Sequence, residues 1–394
     1  MRRLGAAAEV GDTPEEAAFR DEVRAFLAGR LAPRPPERRV VVLGSGNDDL
    51  EPGRRFLATL AERGLAVPRW PERFGGIGAT PGQAAIVAAE LGRFEAPDLY
   101  PFAVGTALVG PTVLDHGTEE QQERWLPPIR SGEEIWCQLF SEPDAGSDLA
   151  GLTCRAEPDG DGWRITGSKV WSSRAVYSQW GLLLARSDPS AAKHAGITAF
   201  GIDMRQPGVE VQPLVQMNGD RHFSQVFLDG ALVPDGDRIG DEGAGWGVAT
   251  TTLMHERASI GGWGGVSPGD LVDRARRFGG AEEGARRARL ASVVADMEVA
   301  HLSGLRARAA ARSGRPPGPE GSGAKLRSSL VLRELAELGV DVAGPAGVAE
   351  PDDWSTLFLT APSFGIRGGT DEIQRNILGE RVLGLPREPK PPTS

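Results

Sequence analysis

The spacing of hydrophobic and polar residues changes twice along the chain, and each change predicts a different kind of secondary structure. From Thr13 to about Ser131, apolar residues recur at the interval of an amphipathic helix. From Trp136 to about Pro234 the interval shortens towards two, which is typical of strands. After Gly245-Trp246-Gly247 the helical spacing returns. The pattern therefore predicts helices, then strands, then helices again.

Capping residues indicate where several of these helices begin. Thr13-Pro14-Glu15-Glu16 combines an N-cap, a proline at the first helical position and acidic residues in the first turn. Thr118-Glu119-Glu120-Gln121 has the pattern of a capping box. Further helical stretches run from Arg54 to Arg63 and from Gly82 to Arg93. Late in the chain, the Arg315–Pro319 loop separates two predicted helices. One face of the first helix carries Leu290, Val294, Met297 and His301, and one face of the second carries Val331, Leu335, Leu338 and Val342.

Turn residues divide the middle of the chain into short strands. Asp159-Gly160-Asp161-Gly162 is a strong turn signal, and the strand-like Trp163–Thr166 follows it. The other predicted strands are Gly181–Ala185, Ile197–Asp203, Val209–Pro213 and Phe223–Leu228. Because glycine and proline interrupt the strands at short intervals, we expect a small β-barrel or sandwich.

Charge and cysteine content exclude several classes of function. The chain has 394 residues and a formal net charge of −10, which argues against a nucleic-acid surface. The two cysteines, Cys137 and Cys154, have no zinc-binding spacing, so we expect a reducing cytoplasm. The start of the chain lacks the apolar core of a signal peptide, and no apolar run is long enough to span a membrane.

Two familiar motifs are incomplete. Arg38–Gly46 resembles the first strand and turn of a dinucleotide fold, but Asp49 stands where the third glycine belongs, so a loop is expected there. His255-Glu256 begins like the zinc motif H-E-x-x-H, but Ser259 occupies the second histidine position. The five histidines form no metal-ligand spacing, so we expect no metal site. His301, on an apolar helix stripe, is expected in the core.

Three segments could contact a ligand, although each also has a purely structural explanation. In Ser141–Asp148, small residues beside a hydroxyl would let backbone N–H groups approach an anion, or they form an ordinary polar turn. In Lys169–Ser173, an indole beside two hydroxyls could flank a flat heteroaromatic ring, or the tryptophan packs in the core. The glycines of Gly368–Arg375 could admit a ligand to a helix N-terminus, or simply begin the helix.

Taken together and in order, these segments resemble the acyl-CoA dehydrogenase family, from about residue 13 to residue 386. The likeness is closest to bacterial members with the HER and GGTDEIQ variants. It rests on Trp70-Pro71 with Gly75–Gly78, Ser131–Glu133, Ser141–Asp148, Lys169–Ser173, His255–Arg257 and Gly368–Gly384. The resemblance implies an α+β fold with an N-terminal helical domain over residues 1–133, a central β-domain over 134–240 and a C-terminal four-helix bundle over 241–394.

The resemblance also implies FAD as the cofactor. Ser147 matches a hydroxyl near the FAD pyrophosphate, with Gly146 beside it, and Ser173 matches the group that bonds near flavin N5. The other residues matched to flavin, substrate or adenosine contacts in the same subunit are Gln138, Phe140, Ser141, Trp171, Thr370 and Glu372. Arg277 and the Gly344–Gly347 loop match contacts to the FAD of a neighbouring subunit, which implies a homodimer or homotetramer.

The catalytic base departs from the family's commonest pattern. In most members a carboxylate stands just before the Gly-Thr pair of the last motif, where this chain has Gly368. Other members place a glutamate on a bundle helix, and Glu256 matches that position, with Arg257 expected to help position the site. The backbone N–H of Gly368 could still bond the thioester carbonyl. The alternative for Glu256 is a surface ion pair.

The resemblance therefore implies α,β-dehydrogenation of an acyl thioester carried by CoA or by an acyl carrier protein. Glu256 would take the α-proton, flavin N5 would accept the β-hydride, and an electron-transfer flavoprotein would receive the electrons. Two alternatives stay open: a flavin-dependent monooxygenase on the same fold, and a non-catalytic subunit of a hetero-oligomer. A second departure is the Gly344–Gly347 loop, which replaces the family's usual double-glycine loop, together with Asp341, which stands where an amide is common. Because an added carboxylate near a pyrophosphate is unfavourable, we expect the FAD contacts between subunits to differ.

Overall fold

The computed structural model describes residues 12–35, 48–259, 266–280, 282–312, 318, 320–350 and 352–387. Side chains at 257–259, 307–308, 310–312 and 320 are also outside the described part. The loop expected at Arg38–Gly46 falls outside these ranges. So does the loop at Arg315–Pro319, apart from Gly318.

The N-terminal part of the chain is helical, as the sequence predicts. Its helices are α1 (Pro14–Ala28), α2 (Leu50–Ala61), α3 (Pro81–Leu91), α4 (Gly110–His116) and α5 (Glu119–Ser131). Thr13 and Thr118 form complete capping boxes at the starts of α1 and α5, which confirms both predicted helix starts. A π-helical stretch, Val104–Val109, leads directly into α4.

The middle of the chain forms the predicted strands. They are β1 (Trp136–Leu139), β2 (Arg155–Asp159), β3 (Gly162–Ser173), β4 (Trp180–Arg186), β5 (Ile197–Asp203), β6 (Val209–Leu214), β7 (Phe223–Pro234) and β8 (Arg238–Ile239). The strand predicted at Ile197–Asp203 is confirmed at both ends, whereas β3 and β7 are longer than the sequence predicts. Both long strands contain irregular register, which hides their alternation in the sequence.

These strands make one eight-stranded sheet in the order β6-β7-β3-β2-β4-β5-β8, with β1 pairing parallel to β4. The first six residues of β4 are buried, which is typical of a strand covered on both faces. Trp136 of β1 stands beside Trp180 of β4 in the register, and their indole rings stack with centroids 5.5 Å apart. This aromatic contact fixes β1 next to the centre of the sheet.

The C-terminal part is again helical, and the predicted order of helices, strands and helices is confirmed. Its helices are α6 (Gly245–Ser259), α7 (Pro268–Arg277), α8 (Gly284–Arg312), α9 (Glu320–Asp341), α10 (Ala346–Ala349), α11 (Asp353–Thr360) and α12 (Asp371–Ile377). In α8, Leu290 and Met297 of the predicted face are buried, whereas Val294 is partly buried and its neighbour Val293 is fully buried. The expectation that His301 lies in the core is wrong, because its side chain is exposed one turn beyond the buried stripe.

Contacts group the described residues into two compact units. One contains those within 1–43, 81–86 and 262–394, with a core of α7, α8, α9 and α11 side chains. The other contains those within 44–80 and 87–261, with the sheet at its centre. The domain boundaries expected from the sequence stay a prediction. No helix in the described ranges has both the length and the apolar character to cross a membrane.

A buried ion pair ties the loop after β1 to strand β3. The side chain of Lys169 is fully buried, and its ammonium donates to a carboxylate oxygen of Glu142 at 2.8 Å and to the carbonyl of Phe140 at 3.1 Å. The same carboxylate accepts the backbone N–H groups of Thr153 and Cys154 and the Thr153 hydroxyl, at 2.6–2.9 Å. Burial by itself would raise the pKa of Glu142, but Lys169 and these donors lower it, so the carboxyl stays ionised.

We expect Lys169→Met to destabilise the protein by about 3–5 kcal/mol, because the substitution leaves the Glu142 carboxylate buried without its cation. Urea denaturation followed by circular dichroism measures the change. Lys193→Met is the matched control, since Lys193 pairs with Asp148 at 2.5 Å but both side chains are largely exposed, and such pairs contribute at most about 1 kcal/mol. Equal losses of stability in the two variants would contradict the structural role of the buried pair.

Candidate functional site

Strand β3 bulges at the tryptophan that the sequence singles out. Lys169 pairs with Val226 and Ser172 with Ser224, so two residues of β3 face one residue of β7 between these pairs. Trp171, inside this bulge, has a φ of 60° and is 60% exposed. Left-handed backbone at a residue other than glycine costs about 1–3 kcal/mol and is concentrated at functional sites. Of the two explanations for Trp171, packing in the core is therefore wrong.

The indole of Trp171 contacts a neighbouring aromatic ring. Its ring meets the Phe223 ring edge to face, with centroids 5.9 Å apart. Phe223 also stands opposite Ser173 in the β3–β7 register. The bulge therefore presents an aromatic surface and, two residues later, the hydroxyl of Ser173. Within the described part of the chain, that hydroxyl has no hydrogen-bond partner.

The end of β1 lies beside this bulge. The backbone N–H of Val170 donates to the carbonyl of Ser141 at 2.9 Å, so the structure brings Ser141 next to the residue that precedes Trp171. Phe140 is buried, while Gln138 and Ser141 are partly exposed. The predicted flavin and substrate residues of these two segments therefore occupy neighbouring backbone positions, although they are 30 residues apart in sequence.

The turn after Glu142 is held in place at its base and open at its tip. The backbones of Glu142 and Ala145 exchange two hydrogen bonds of 3.1 Å. Gly146 and Ser147 follow and are exposed. A Cβ atom added at Gly146 would meet no described atom within 4 Å, so protein packing does not require glycine there. The approach of an anion would require glycine at this position, because an anion needs free backbone N–H groups and no side chain that blocks them.

These features fit an FAD molecule. A flat ring system needs an exposed aromatic face and hydrogen-bond donors at its edge, and the bulge supplies Trp171 and Ser173. A pyrophosphate needs an open turn, and Gly146 and Ser147 lie on one. The hydroxyls of Ser141, Ser147 and Ser173 have no hydrogen-bond partner within the described residues, which leaves all three available to a ligand.

A network of charged groups supports the end of β3. The Arg174 guanidinium, nearly buried, donates from Nε to Asp48 Oδ1 at 2.9 Å. The second oxygen of Asp48 lies 3.3 Å from His222 Nδ1. Burial by itself would raise the pKa of Asp48, but hydrogen bonds from His222 and the charge of Arg174 lower it below its ordinary value. The Asp48 carboxylate is therefore ionised at neutral pH.

Helix α6 carries Glu256 at the end of its buried stripe. Val248 and Thr252 are fully buried, and Glu256, one further turn along, is partly buried. Three polar contacts hold α6 against α4: Thr252 to Thr112 at 2.9 Å, Thr251 to His116 at 2.8 Å and His255 to Asp115 at 3.3 Å. These contacts fix the rotation of α6 and hence the direction of its buried stripe. The Arg257 side chain is outside the described part.

In the other unit, the last motif forms the start of α12. Gly368 and Gly369 have φ values of 66° and 88°, so both need the conformational freedom of glycine. The Gly368 N–H donates to no atom of the described ranges. Thr370 caps α12 by accepting the Ile373 N–H at 3.2 Å, and Glu372 is exposed and pairs with Arg375.

The predicted inter-subunit residues lie at helix ends in this unit. Arg277 ends α7 and is exposed, with its guanidinium over the Phe278 ring. Gly344 has a φ of 57°, and a Cβ on Gly347 would come within 2.5 Å of the Val340 carbonyl oxygen. Asp341 pairs with Arg286 at 3.1 Å, so a cation partly offsets the negative charge of this additional carboxylate.

Sequence patterns alone do not identify the charged groups that support β3. Glu142 and Lys169 lie within the singled-out motifs, but the sequence does not indicate that they are partners, and no motif contains Asp48, Arg174 or His222. The burial of Lys169 could have been predicted from the sequence, because Lys169 lies on the same face of its strand as the apolar residues Trp163 and Ile165. A lysine in such a position needs a buried carboxylate. For Asp48 the sequence carries no comparable signal.

Comparison with known families agrees with this arrangement. Residues 13–133 match the model described as acyl-CoA dehydrogenase, N-terminal domain. Residues 137–230 match the middle-domain model of the same family, and residues 243–383 match its C-terminal-domain model.

Individual relatives agree over almost the whole chain. Acyl-CoA dehydrogenase IpdE1 of Mycobacterium tuberculosis is 39% identical, covering 94% of this chain and 98% of that protein. Acyl-CoA dehydrogenase FadE34 of the same organism is 38% identical over 98% of this chain, which matches 50% of that longer protein. A solved structure described as the Tcur3481-Tcur3483 steroid ACAD has a TM-score of 0.79 at 27% identity, covering 96% of this chain and 100% of that one. The chain belongs to the acyl-CoA dehydrogenase family.

Proposed function

We propose that the protein oxidises the α,β-bond of an acyl thioester with FAD as its cofactor, and that Glu256 is the base that removes the α-proton. Acyl-CoA dehydrogenation in general follows from the family. The observation that supports the choice of base is the position of Glu256, one turn beyond Thr252 on the buried stripe of α6. The alternative role of Glu256, an ion pair without a catalytic function, predicts no loss of flavin reduction when the carboxylate is replaced.

The reaction needs a base because the α C–H of a thioester is only weakly acidic. A carboxylate beside an apolar acyl chain is suited to this task, since desolvation raises its proton affinity. When bound, FAD supplies the acceptor for the hydride from the β-carbon. For the carbonyl oxygen of the thioester we propose the N–H of Gly368 as a hydrogen-bond donor, because a fixed donor stabilises the enolate charge as it develops.

Around the cofactor we propose the following roles. Trp171 flanks the isoalloxazine ring, Ser173 bonds near its N5, and Gly146 with Ser147 faces the pyrophosphate. Gln138, Phe140 and Ser141 line the ring and the acyl group. Thr370 and Glu372 would contact the adenosine side, and Arg277, Gly344 and Gly347 the FAD of a neighbouring subunit. Arg257 helps to position the site.

The partners are proposed on the same basis. CoA is the favoured carrier, with an acyl carrier protein as the alternative, and an electron-transfer flavoprotein is the electron acceptor. We propose that the protein is an oligomer, formed either by copies of this chain or with a second related chain. The second possibility is included because the name of the steroid ACAD structure joins two proteins, Tcur3481 and Tcur3483. That description makes ring-bearing acyl-CoAs part of any substrate screen. The cytoplasmic location stays a prediction, and the monooxygenase alternative is not favoured by the named relatives.

Replacement of the proposed base tests the function directly. We expect Glu256→Gln to retain FAD and to lose roughly 10²–10⁴-fold of the rate of flavin reduction by a good acyl-CoA, the usual contribution of a positioned base. Anaerobic stopped-flow bleaching of the flavin absorbance measures this rate. The matched control is Glu242→Gln, which removes an exposed carboxylate shortly before α6 and should reduce flavin at the wild-type rate.

Two results would contradict the proposal in different ways. Near-normal bleaching in Glu256→Gln would remove Glu256 from the mechanism and leave the family assignment intact. A wild-type protein that takes up FAD only with a second chain present would instead favour the alternative of a subunit in a hetero-oligomer.

The Ser173 hydroxyl provides a test of the cofactor site. We expect Ser173→Ala to weaken FAD binding by about 2- to 10-fold, the value of one neutral hydrogen bond. Titration of the FAD-free protein, followed by flavin fluorescence, measures the dissociation constant. Ser168→Ala makes the same chemical change on the same strand and should have no effect. Equal affinities in all three proteins would show that Ser173 does not contact the flavin.

A further inference from the structure

Backbone strain is concentrated at one place in the described structure. Among the described residues other than glycine, only Asp48, Trp171 and Arg174 have positive φ values, of 43°, 60° and 59°. Asp48 and Arg174 are joined by an ion pair, although 126 positions separate them in the sequence. Trp171 precedes Arg174 by three residues. Strained residues persist only where surrounding contacts over-determine their conformation, so these contacts require an explanation.

We propose that Arg174, held by Asp48, is a positioning residue that keeps Trp171 and Ser173 in the conformation that receives the cofactor. This inference rests on the proposed function, because it assumes that these two residues face FAD. The Arg174 side chain is nearly buried, so in this proposal it does not itself face the cofactor. It acts through the backbone of the segment 170–174, which we call the bulge segment.

The backbone of Arg174 is the last fixed point of the bulge segment. Its N–H donates to the His222 carbonyl at 2.7 Å, directly after the Ser173–Phe223 pair of the β3–β7 ladder. Its carbonyl accepts the Tyr177 N–H at 3.3 Å and the Ser178 hydroxyl at 3.0 Å. The left-handed conformation of Arg174 thus turns the chain from β3 into the short helix 175–177.

The side chain of Arg174 explains why this conformation is retained. Nε and Nη2 lie 2.9 Å and 2.8 Å from the same oxygen of Asp48, and the guanidinium lies over the Tyr100 ring at 4.3 Å from its centre. Only 3% of the side chain is exposed. A guanidinium suits this place better than an ammonium, because it stacks on an aromatic face while it donates in its own plane.

Asp48 is in turn fixed by a second contact. Its Oδ2 lies 3.3 Å from His222 Nδ1, and His222 Nε2 lies 3.3 Å from Asp220 Oδ2. His222 therefore contacts the ion pair through its ring and the Arg174 N–H through its carbonyl. The Arg174 side chain is bound to Asp48, its backbone N–H is bound to His222, and Asp48 and His222 contact each other. A change in the ion pair is therefore transmitted to the ladder at Ser173.

The opposite end of the bulge segment is held independently. Val170 donates to the Ser141 carbonyl, and Lys169 is anchored on Glu142. Trp171 and Ser173 thus lie between two anchors, and only the Arg174 anchor depends on the distant Asp48. If the ion pair is lost, the left-handed backbone at Arg174 can relax, and the displacement reaches Ser173 before it reaches Lys169.

The competing explanation is that the Asp48–Arg174 pair only stabilises the protein by joining the start of α2 to the sheet. Loss of a purely stabilising pair would lower the thermal midpoint and the fraction of protein that carries FAD. It would leave the spectrum and the reduction rate of the flavin unchanged in the molecules that carry it. Loss of a positioning pair changes these properties in the bound flavin itself.

The test is a double-mutant cycle on the full-length protein with Arg174→Met, Asp48→Asn and the combined variant, together with the conservative Arg174→Lys. We expect each single variant to raise the FAD dissociation constant about tenfold. The combined variant should do little more than either alone, since residues of one ion pair are not additive. Arg174→Lys should recover part of the affinity, and it serves as the folded variant if Arg174→Met does not fold.

Two further measurements separate positioning from stability. Visible circular dichroism of the bound flavin should differ between Arg174→Met and wild type. Hydrogen–deuterium exchange in the FAD-free protein should be faster over residues 170–178 in Arg174→Met and Asp48→Asn. The control is Arg205→Met, since Arg205 pairs loosely with Asp203 at 3.8 Å and is largely exposed. It should match wild type in every measurement.

The outcomes are distinguishable from a failure of the proposed function. Wild-type affinity and an unchanged flavin spectrum in folded Arg174→Met and Arg174→Lys would overturn the positioning role while the proposed function stands. A wild-type protein that binds no FAD would overturn the proposed function, and all variants would then fail alike. In that case unchanged exchange over residues 170–178 would also overturn the ordering role of Arg174.

Discussion

An ammonium group with no exposure to water needs an anion and further acceptors around it, and Lys169 imposes that requirement on the unit that contains the sheet. Its partners, Glu142 and the Phe140 carbonyl, belong to the chain that leaves β1, so β3 and the loop after β1 must lie together. The Glu142 carboxylate also accepts hydrogen bonds from the backbone N–H groups of Thr153 and Cys154, so the segment that leads into β2 lies beside the same ion pair. One charge pair thereby brings three separate segments to a common place.

The residues proposed to face the cofactor are immediate neighbours of that pair. Ser141 precedes Glu142, and Trp171 follows Lys169 by two positions. The ion pair itself is buried, so it is a scaffold and not a ligand. The buried pair fixes the backbone of both segments, so Ser141 and Trp171 are held in place without being buried themselves.

The sequence predicted the periodic parts of the fold and missed contacts between distant segments. Capping residues such as Thr13 and Thr118 act within one turn, so their sequence is sufficient to place a helix start. Strand β5 was predicted at both ends because all its positions but the last are buried. The bulge at Trp171 was not predicted, since it depends on the register of β7. His301 was misplaced because one helix face carries both buried and exposed positions along its length.

The backbone at Gly368 is consistent with the proposal that the base lies elsewhere in the chain. Gly368 and the glycine after it both have left-handed backbone, with φ values of 66° and 88°. A glutamate at 368 would have to adopt a conformation that L-residues rarely take, at a cost of about 1–3 kcal/mol. The base proposed here, Glu256, lies on a regular helix and carries no such strain. The Thr112–Thr252 bond and two further polar contacts fix the rotation of α6 close to Glu256.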